Sequence, residues 1–159
     1  MLSSEIAWNT AEFEAHNLMD VLRFNVQKAK QLVVEAPREV QSCGLSGLRN
    51  FARRPEKMPD GSTRMYMGMY VKWKAIDAEP ERFDCSIPIL LVPLPERLGG
   101  SVWPIDGWHR IAKTLDAGGD ELPAVLLTEA EAVEICPQLA EFQGKKKKAA
   151  KRRGERNQA

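Results

Sequence analysis

The 159-residue chain has no long apolar run, no closely paired cysteines and only two histidines. Each absence removes a class of function. The longest apolar run, Ile87–Val92, is broken by Pro88 and stopped by Pro93, well short of the roughly 20 apolar residues that a membrane-spanning helix needs. The first residues, MLSSEIAWNTAEFEAHN, carry acids where a secretory signal has a basic start and an apolar stretch. Cys43, Cys85 and Cys136 stand 42 and 51 positions apart. An odd count with no CxxC spacing reads as free packing thiols in a reducing compartment, so the expected location is cytoplasmic. Of the two histidines, His16 reads as structural, on a helix with Phe13 nearby.

What is present fits a globular protein, with 43% apolar and 28% charged residues. A chain of this length can bury roughly 68–70% of its unfolded surface, enough for a core without disulfides or metal. The formal net charge of +1 conceals two unlike parts. Residues 145–159, KKKKAAKRRGERNQA, hold eight basic side chains and one acid, a net +7, which leaves residues 1–144 at −6. The expected organisation is one domain over 1–144 and a disordered basic tail over 145–159, since the tail has no apolar side chain larger than alanine.

Phe13, Leu18, Val21, Leu22, Phe24, Val26 and Leu32 recur at near-helical spacing, which predicts a long N-terminal helix from Thr10 to about Val34, continuous or broken near Asn17, and capped by Asn9 or Thr10. Residues 42–62 read as a loop or short helix ending in the turn Pro59-Asp60-Gly61. Arg64–Ala75, with Tyr66, Tyr70 and Trp73, reads as a strand. Ile87–Val92 reads as a strand buried on both faces. A short strand Ser101–Ile105, a helix from Trp108 to about Ala117, a strand Leu122–Leu127 and a last helix opened by the capping box Thr128–Glu131 follow. Strands alternating with helices predict an α/β or α+β fold with a mixed sheet flanked by helices.

The segment most loaded with chemistry is Trp103–Thr128, WPIDGWHRIAKTLDAGGDELPAVLLT. A strand, an Asp-Gly turn and a helix start bring unpaired backbone amides and the positive end of a helix dipole to one point, an arrangement that holds phosphates. Gly107 permits close approach of the backbone, Arg110 offers a fork matched to phosphate oxygens, and His109 is a donor or proton carrier. Lys113 is spaced to share their helix face. Asp106 is expected to cap the helix or to bind a phosphate-bound Mg²⁺. The plain alternative is an ordinary capped helix with a solvated His and Arg.

The run Ile105-Asp106-Gly107-Trp108-His109-Arg110, followed by a helix, two glycines and the strand Leu122-Pro123-Ala124-Val125, and preceded by Ile87-Pro88-Ile89, resembles the ParB/sulfiredoxin-like superfamily. In that superfamily the motif binds nucleotide phosphates: CTP in partition proteins, ATP in sulfiredoxins, adenine nucleotide in free-serine kinases. The resemblance implies ATP or CTP with Mg²⁺ as ligand, Gly107, His109, Arg110 and Lys113 at the phosphates, and Asp106 and His109 as catalytic groups. Two departures narrow it. Trp108 stands where sulfiredoxins place their nucleophilic cysteine, which excludes sulfinic-acid reduction. Only 32 residues follow Leu127, too few for the DNA-binding and dimerisation domains of partition proteins. The small stand-alone members then resembled include kinases, nucleotide hydrolases, nucleases and plasmid-borne inhibitors of conjugative or T-DNA transfer.

The tail residues Lys145, Lys146, Lys147, Lys148, Lys151, Arg152 and Arg153 are expected to contact DNA nonspecifically through counterion release. Arg49-Asn50-Phe51-Ala52-Arg53-Arg54 is a second candidate surface for phosphates. The function these readings imply is a nucleotide-binding protein, a weak NTPase with possible nuclease activity, acting on or near DNA. The alternative is a non-enzymatic module that blocks a DNA-transfer or partition machine through a protein or DNA contact.

Overall fold

The structure, a computed structural model, describes residues 1–9, 14–19, 21–65 and 68–143. Its elements are strands β1 (Ala15–Leu18) and β2 (Leu22–Asn25), helix α1 (Val26–Glu35), strands β3 (Gln41–Gly44), β4 (Glu56–Lys57) and β5 (Thr63–Arg64), helix α2 (Trp73–Ala78), strands β6 (Ile89–Pro93) and β7 (Val102–Asp106), helix α3 (Trp108–Asp116), strand β8 (Glu121–Leu126) and helix α4 (Glu129–Ile135). Short 3₁₀ turns join several of them. The fold is mixed α/β. Its central sheet runs β3-β8-β6-β7, with β6 and β8 parallel and the outer pairings antiparallel.

Strand β6 organises the core because every residue from Ile89 to Val92 is buried. Ile89 and Leu91 face a cluster with Trp108, Ile111 and Leu115 of α3. Leu90 and Val92 face the opposite cluster, with Phe24, Val33 and Ile135. Side chains alternate across a strand, so a continuous apolar run must be covered on both sides. Helix α3 covers one side, and α1, α4 and the β1–β2 hairpin supply the other. The Thr128 hydroxyl accepts from Glu131 N at 3.2 Å while the Glu131 carboxylate accepts from Thr128 N at 3.0 Å, which completes the capping box of α4.

The long N-terminal helix is not formed. An antiparallel hairpin pairs His16 with Phe24 and Leu18 with Leu22, and the helix begins only at Val26. Leu22 and Phe24 are buried while Arg23 between them is exposed, a period of two. Helical spacing holds only at Val26, Ala29, Lys30 and Val33. Asn25 is the actual N-cap, its side-chain oxygen accepting from Lys28 N at 3.0 Å. Thr10, one of the caps expected from sequence, lies outside the described residues.

The expected strand over Arg64–Ala75 is also replaced. β5 stops at Arg64 and Trp73 opens α2. Residues 68–70 instead lie along the backbone of Phe51, whose carbonyl accepts from Met69 N at 2.8 Å. Arg54 fixes this part of the fold. Its guanidinium makes two bonds to Asp77 at 2.8 Å each and two to Asp116 at 3.2 and 2.9 Å, and it lies 4.4 Å from the centre of the Trp73 ring. One side chain thus joins the 49–54 segment to α2 and α3. Because the cluster is partly solvated, Arg54→Ala is expected to cost only about 1 kcal/mol, with Arg54→Lys recovering little because a lysine cannot bridge two carboxylates bidentately. Urea unfolding of the two variants measures both effects.

Candidate functional site

The expected turn lies at the junction of β7 and α3. Gly107, and not Asp106, is the N-cap, at φ 99°. A side chain at Gly107 would put its Cβ 2.4 Å from Ile89 Cγ2 and 2.9 Å from Arg110 Nη2, so only glycine fits. Asp106 is the last residue of β7, and its carboxylate turns to Arg110, Oδ2 accepting from Nη2 at 3.1 Å.

Arg110 is correspondingly occupied. Nη1 donates to the Ile87 and Pro88 carbonyls at 2.8 and 3.1 Å, and Nη2 donates to Asp106. Three of the five guanidinium protons are thereby used, which ties the entry of β6 to α3 and leaves two donors. Lys113 does not join the expected phosphate face. Its ammonium donates to the carbonyls of Pro80 at 2.7 Å and Phe83 at 3.0 Å and anchors that loop to α3. Trp108 turns inward, its indole N–H bonded to the Pro104 carbonyl at 2.9 Å. Carried by the first turn of α3, Trp108 thus packs in the core while His109 faces outward.

A cavity of about 250 Å³ opens at this helix start. Gly107, His109, Arg110 and Asp106 line it together with residues that no local motif joins to them: Lys30 from α1, the segment Ala7–Asn9, and Arg82, Phe83 and Asp84 from the loop that Lys113 holds. Lys30 is only 5% exposed. Its ammonium donates to Glu14 at 2.6 Å and to the Asn9 carbonyl at 3.1 Å, and it stands 3.9 Å from Asp106. Glu14, Lys30, Asp106 and Arg110 form one alternating charge chain across the floor, in which each buried charge has an opposite neighbour. Arg82, by contrast, is solvated at the rim, 3.9 Å from Glu79.

His109 is half-buried and stacks on Phe83 at 5.2 Å. Burial first, then the positive charges of Lys72 and Arg82, hold its imidazole below its ordinary pKa. Its Nε2 accepts from the Lys72 backbone N–H at 3.1 Å. That bond requires the Nε2 lone pair, so a neutral His109 carries its proton on Nδ1. The group expected as a proton carrier therefore has its basic nitrogen engaged, and what it retains is an Nδ1–H donor.

The cavity is chemically suited to an anion. It presents a helix-start backbone, the Arg82 cation, an imidazole donor and two unused Arg110 protons. A larger apolar cavity of about 490 Å³, between the β1–β2 hairpin and β7, has no charged side chain in its lining and could not compensate a phosphate. Among the described residues, no group of three or more His, Cys, Asp or Glu is gathered to hold a metal. Asp84 and Asp106 both line the cavity, and Mg²⁺ beside phosphates needs only one or two carboxylates; Asp84 Oδ1 accepts from Ser86 N and Oγ, and Asp106 Oδ2 from Arg110, which leaves each carboxylate one further oxygen.

His16 is indeed structural, but on β1, where it accepts from the Trp103 indole at 3.0 Å. Lys145, Lys146, Lys147, Lys148, Lys151, Arg152 and Arg153 lie outside the described residues. No helix among the described residues is long and apolar enough to cross a membrane. Lys30 and Arg82 escape sequence reasoning because they lie 76 and 24 residues before Asp106; the one available signal is a lysine on the apolar stripe Val26, Ala29, Lys30, Val33. In comparisons with protein-family models, curated proteins and solved structures, nothing matches the chain.

Proposed function

We propose that this is a nucleotide-binding protein of the ParB/sulfiredoxin-like type, a weak Mg²⁺-dependent NTPase that acts on or near DNA in the cytoplasm. The observation that carries the reading is the cavity at the start of α3, where Gly107, His109, Arg110 and Arg82 converge beside two carboxylates. In this reading the phosphates of ATP or CTP meet the α3 backbone amides, the Nδ1–H of His109, the remaining protons of Arg110 and the Arg82 guanidinium. Asp84 and Asp106 would hold Mg²⁺, which supplies charge neutralisation to the phosphates. His109 serves as a donor to phosphate oxygen and not as the base, since its Nε2 is engaged by Lys72. Lys113 serves the site indirectly, by fixing the loop that carries Arg82. Nuclease activity and inhibition of plasmid or T-DNA transfer are the DNA-directed roles that the resemblance suggests.

A second reading, a non-enzymatic module that blocks a DNA-transfer machine, is favoured by the self-paired state of Arg110 and Asp106: both already have partners that hold β6, β7 and α3 together. Thermal-shift measurements separate the two. With ATP or CTP and Mg²⁺ at about 100 times Kd, the native protein should gain about 2.7 kcal/mol. Arg82→Ala, at a 61% exposed rim side chain, should abolish most of that gain while leaving the melting temperature without ligand unchanged. Arg110→Ala should lower both. A native protein that no nucleotide stabilises rejects the first reading in favour of the second.

A further inference from the structure

Two stretches that stand apart in the sequence, the arginine-rich residues 49–54 and the aromatic stretch ending at Trp73, form one surface. Met69 N donates to the Phe51 carbonyl at 2.8 Å, and Arg54 lies over the Trp73 ring at 4.4 Å. A Cβ on Gly68 would sit 2.5 Å from the Phe51 carbonyl oxygen, so the two chains run in direct backbone contact. Arg49, Asn50, Arg53 and Arg54 line a cleft of about 380 Å³ over Ala52 and Leu115. Phe51 and Tyr70 are 40% and 79% exposed, large fractions for aromatic rings.

The charge of this region is opposite to that of its surroundings. Residues 49–77 hold seven basic and three acidic side chains, a net +4, so the rest of residues 1–144 carries −10. Asp77, one of those three acids, and Asp116 are both committed to Arg54. Arg54 therefore acts as a fixed wall, and the cleft also carries the exposed guanidinium groups of Arg49 and Arg53, with Lys72 and Lys74 on the same stretch as Tyr70. A cationic cleft beside solvent-exposed rings is the arrangement that receives a single-stranded nucleic acid: arginines track the phosphates, and unpaired bases stack on the rings without sequence preference.

We propose that the surface made by residues 49–54 and 69–74 binds single-stranded nucleic acid, with Arg49 and Arg53 on the phosphodiester backbone and Tyr70 and Phe51 as stacking platforms. The proposal rests on the reading that the protein works on DNA, but places the contact on the folded body and not on the basic tail alone, and on side chains other than those that line the α3 cavity. Tyr70 carries the discriminating test because its exposed ring contributes little to packing, whereas Phe51 packs edge-on against Trp103.

The experiment is fluorescence anisotropy of the full chain with a labelled 20-nucleotide poly-dT, at two salt concentrations. A variant with the seven tail cations replaced by glutamine should still bind. On that background Tyr70→Ala should weaken binding at least fivefold, the low end of a loss of about 1–3 kcal/mol per stacked base. Arg49→Ala/Arg53→Ala should weaken it more and flatten the salt dependence, by about 0.7 for each phosphate that is no longer neutralised. Binding abolished with the tail and unchanged by the surface variants would overturn this proposal and leave the DNA reading intact. No binding by any form, native included, would remove both. Binding insensitive to Tyr70→Ala and equally competed by polyglutamate would identify a surface for acidic polypeptide, and would likewise overturn it.

Discussion

Gly107→Ala should lower stability by about 3 kcal/mol, a fall in melting temperature of about 6–12 °C for a chain of this size. Two costs add at this position. At φ 99° an L-residue is in left-handed backbone, where the strain is about 1–2 kcal/mol. The new Cβ would also meet Ile89 Cγ2 at 2.4 Å and Arg110 Nη2 at 2.9 Å, and overpacking of this kind typically costs about 1–3 kcal/mol. Ile89 is fully buried in β6 and cannot step aside without moving the sheet. Arg110 can give way only by releasing the Ile87 and Pro88 carbonyls or Asp106. The control is Gly118→Ala: Gly118 has φ 87° but nothing within 4 Å of an added Cβ, so it should show the backbone cost alone. Equal losses from urea unfolding of the two variants would mean that the close approach of Ile89 carries no energy. If the proposed nucleotide site is correct, the thermal shift with ATP or CTP should shrink in the Gly107→Ala variant, because the α3 amides and Arg110 move together.

The contrast between the two glycines explains how much of the site is legible in the sequence. The unit from Ile87 to Glu131 is legible because its signals are local: a run of apolar residues that needs cover on both faces, an Asp-Gly turn, and a Thr-x-x-Glu box whose two ends are three residues apart. Each element there lies within a residue or two of its expected place. The N-terminal third misleads because a hairpin and a following helix can together imitate one helix. Leu18, Leu22 and Val26 are four apart, a helical interval, yet Leu18 faces Leu22 across a turn. Tyr70 and Trp73 suggest a strand face, whereas the structure spends one of them on solvent and the other on Arg54.

At the site the turn is legible and the roles are not. Asp106 and Arg110 are four apart on a strand end and a helix, a spacing that allows them to pair, and pairing makes both part of the scaffold. Lys113 has the right face but finds two carbonyls of a loop about 30 residues away. Those partners, like Lys30 and Arg82, are set by tertiary contact, so no window of the sequence contains both halves of the interaction. A buried lysine is legible only as an anomaly in an apolar stripe; which carboxylate it meets is not.

Acid should destabilise the protein through His16 alone by up to about 3 kcal/mol between pH 7 and pH 4. The imidazole is buried among Phe24, Trp103 and Trp108, and its Nε2 accepts from the Trp103 indole at 3.0 Å. Protonating Nε2 would set two donors against each other in a site that cannot solvate the charge. Burial therefore takes the pKa down to about 4, against the attraction of Asp106, which works the other way. The sign follows from proton counting. Between pH 6.5 and 4 the unfolded chain binds a proton at His16 that the native protein refuses, so stability rises with pH across this window and is lost as pH falls through it; below the folded pKa both states are protonated and the loss is complete. A shift from 6.5 to about 4 corresponds to about 3 kcal/mol at 1.36 kcal/mol per unit. Carboxylates titrate near the lower end of the same range, so the measurement is a difference: urea unfolding at pH 7, 5.5 and 4 for the native chain and for His16→Gln, which keeps an acceptor for Trp103 and removes the titration. The native protein should lose more than the variant, and most of the excess should appear between pH 6.5 and 5, before the carboxylates contribute. Parallel pH profiles for the two would show that His16 takes up its proton as readily in the native protein as in the unfolded chain, and would require the Trp103 indole to give up its acceptor as that proton binds.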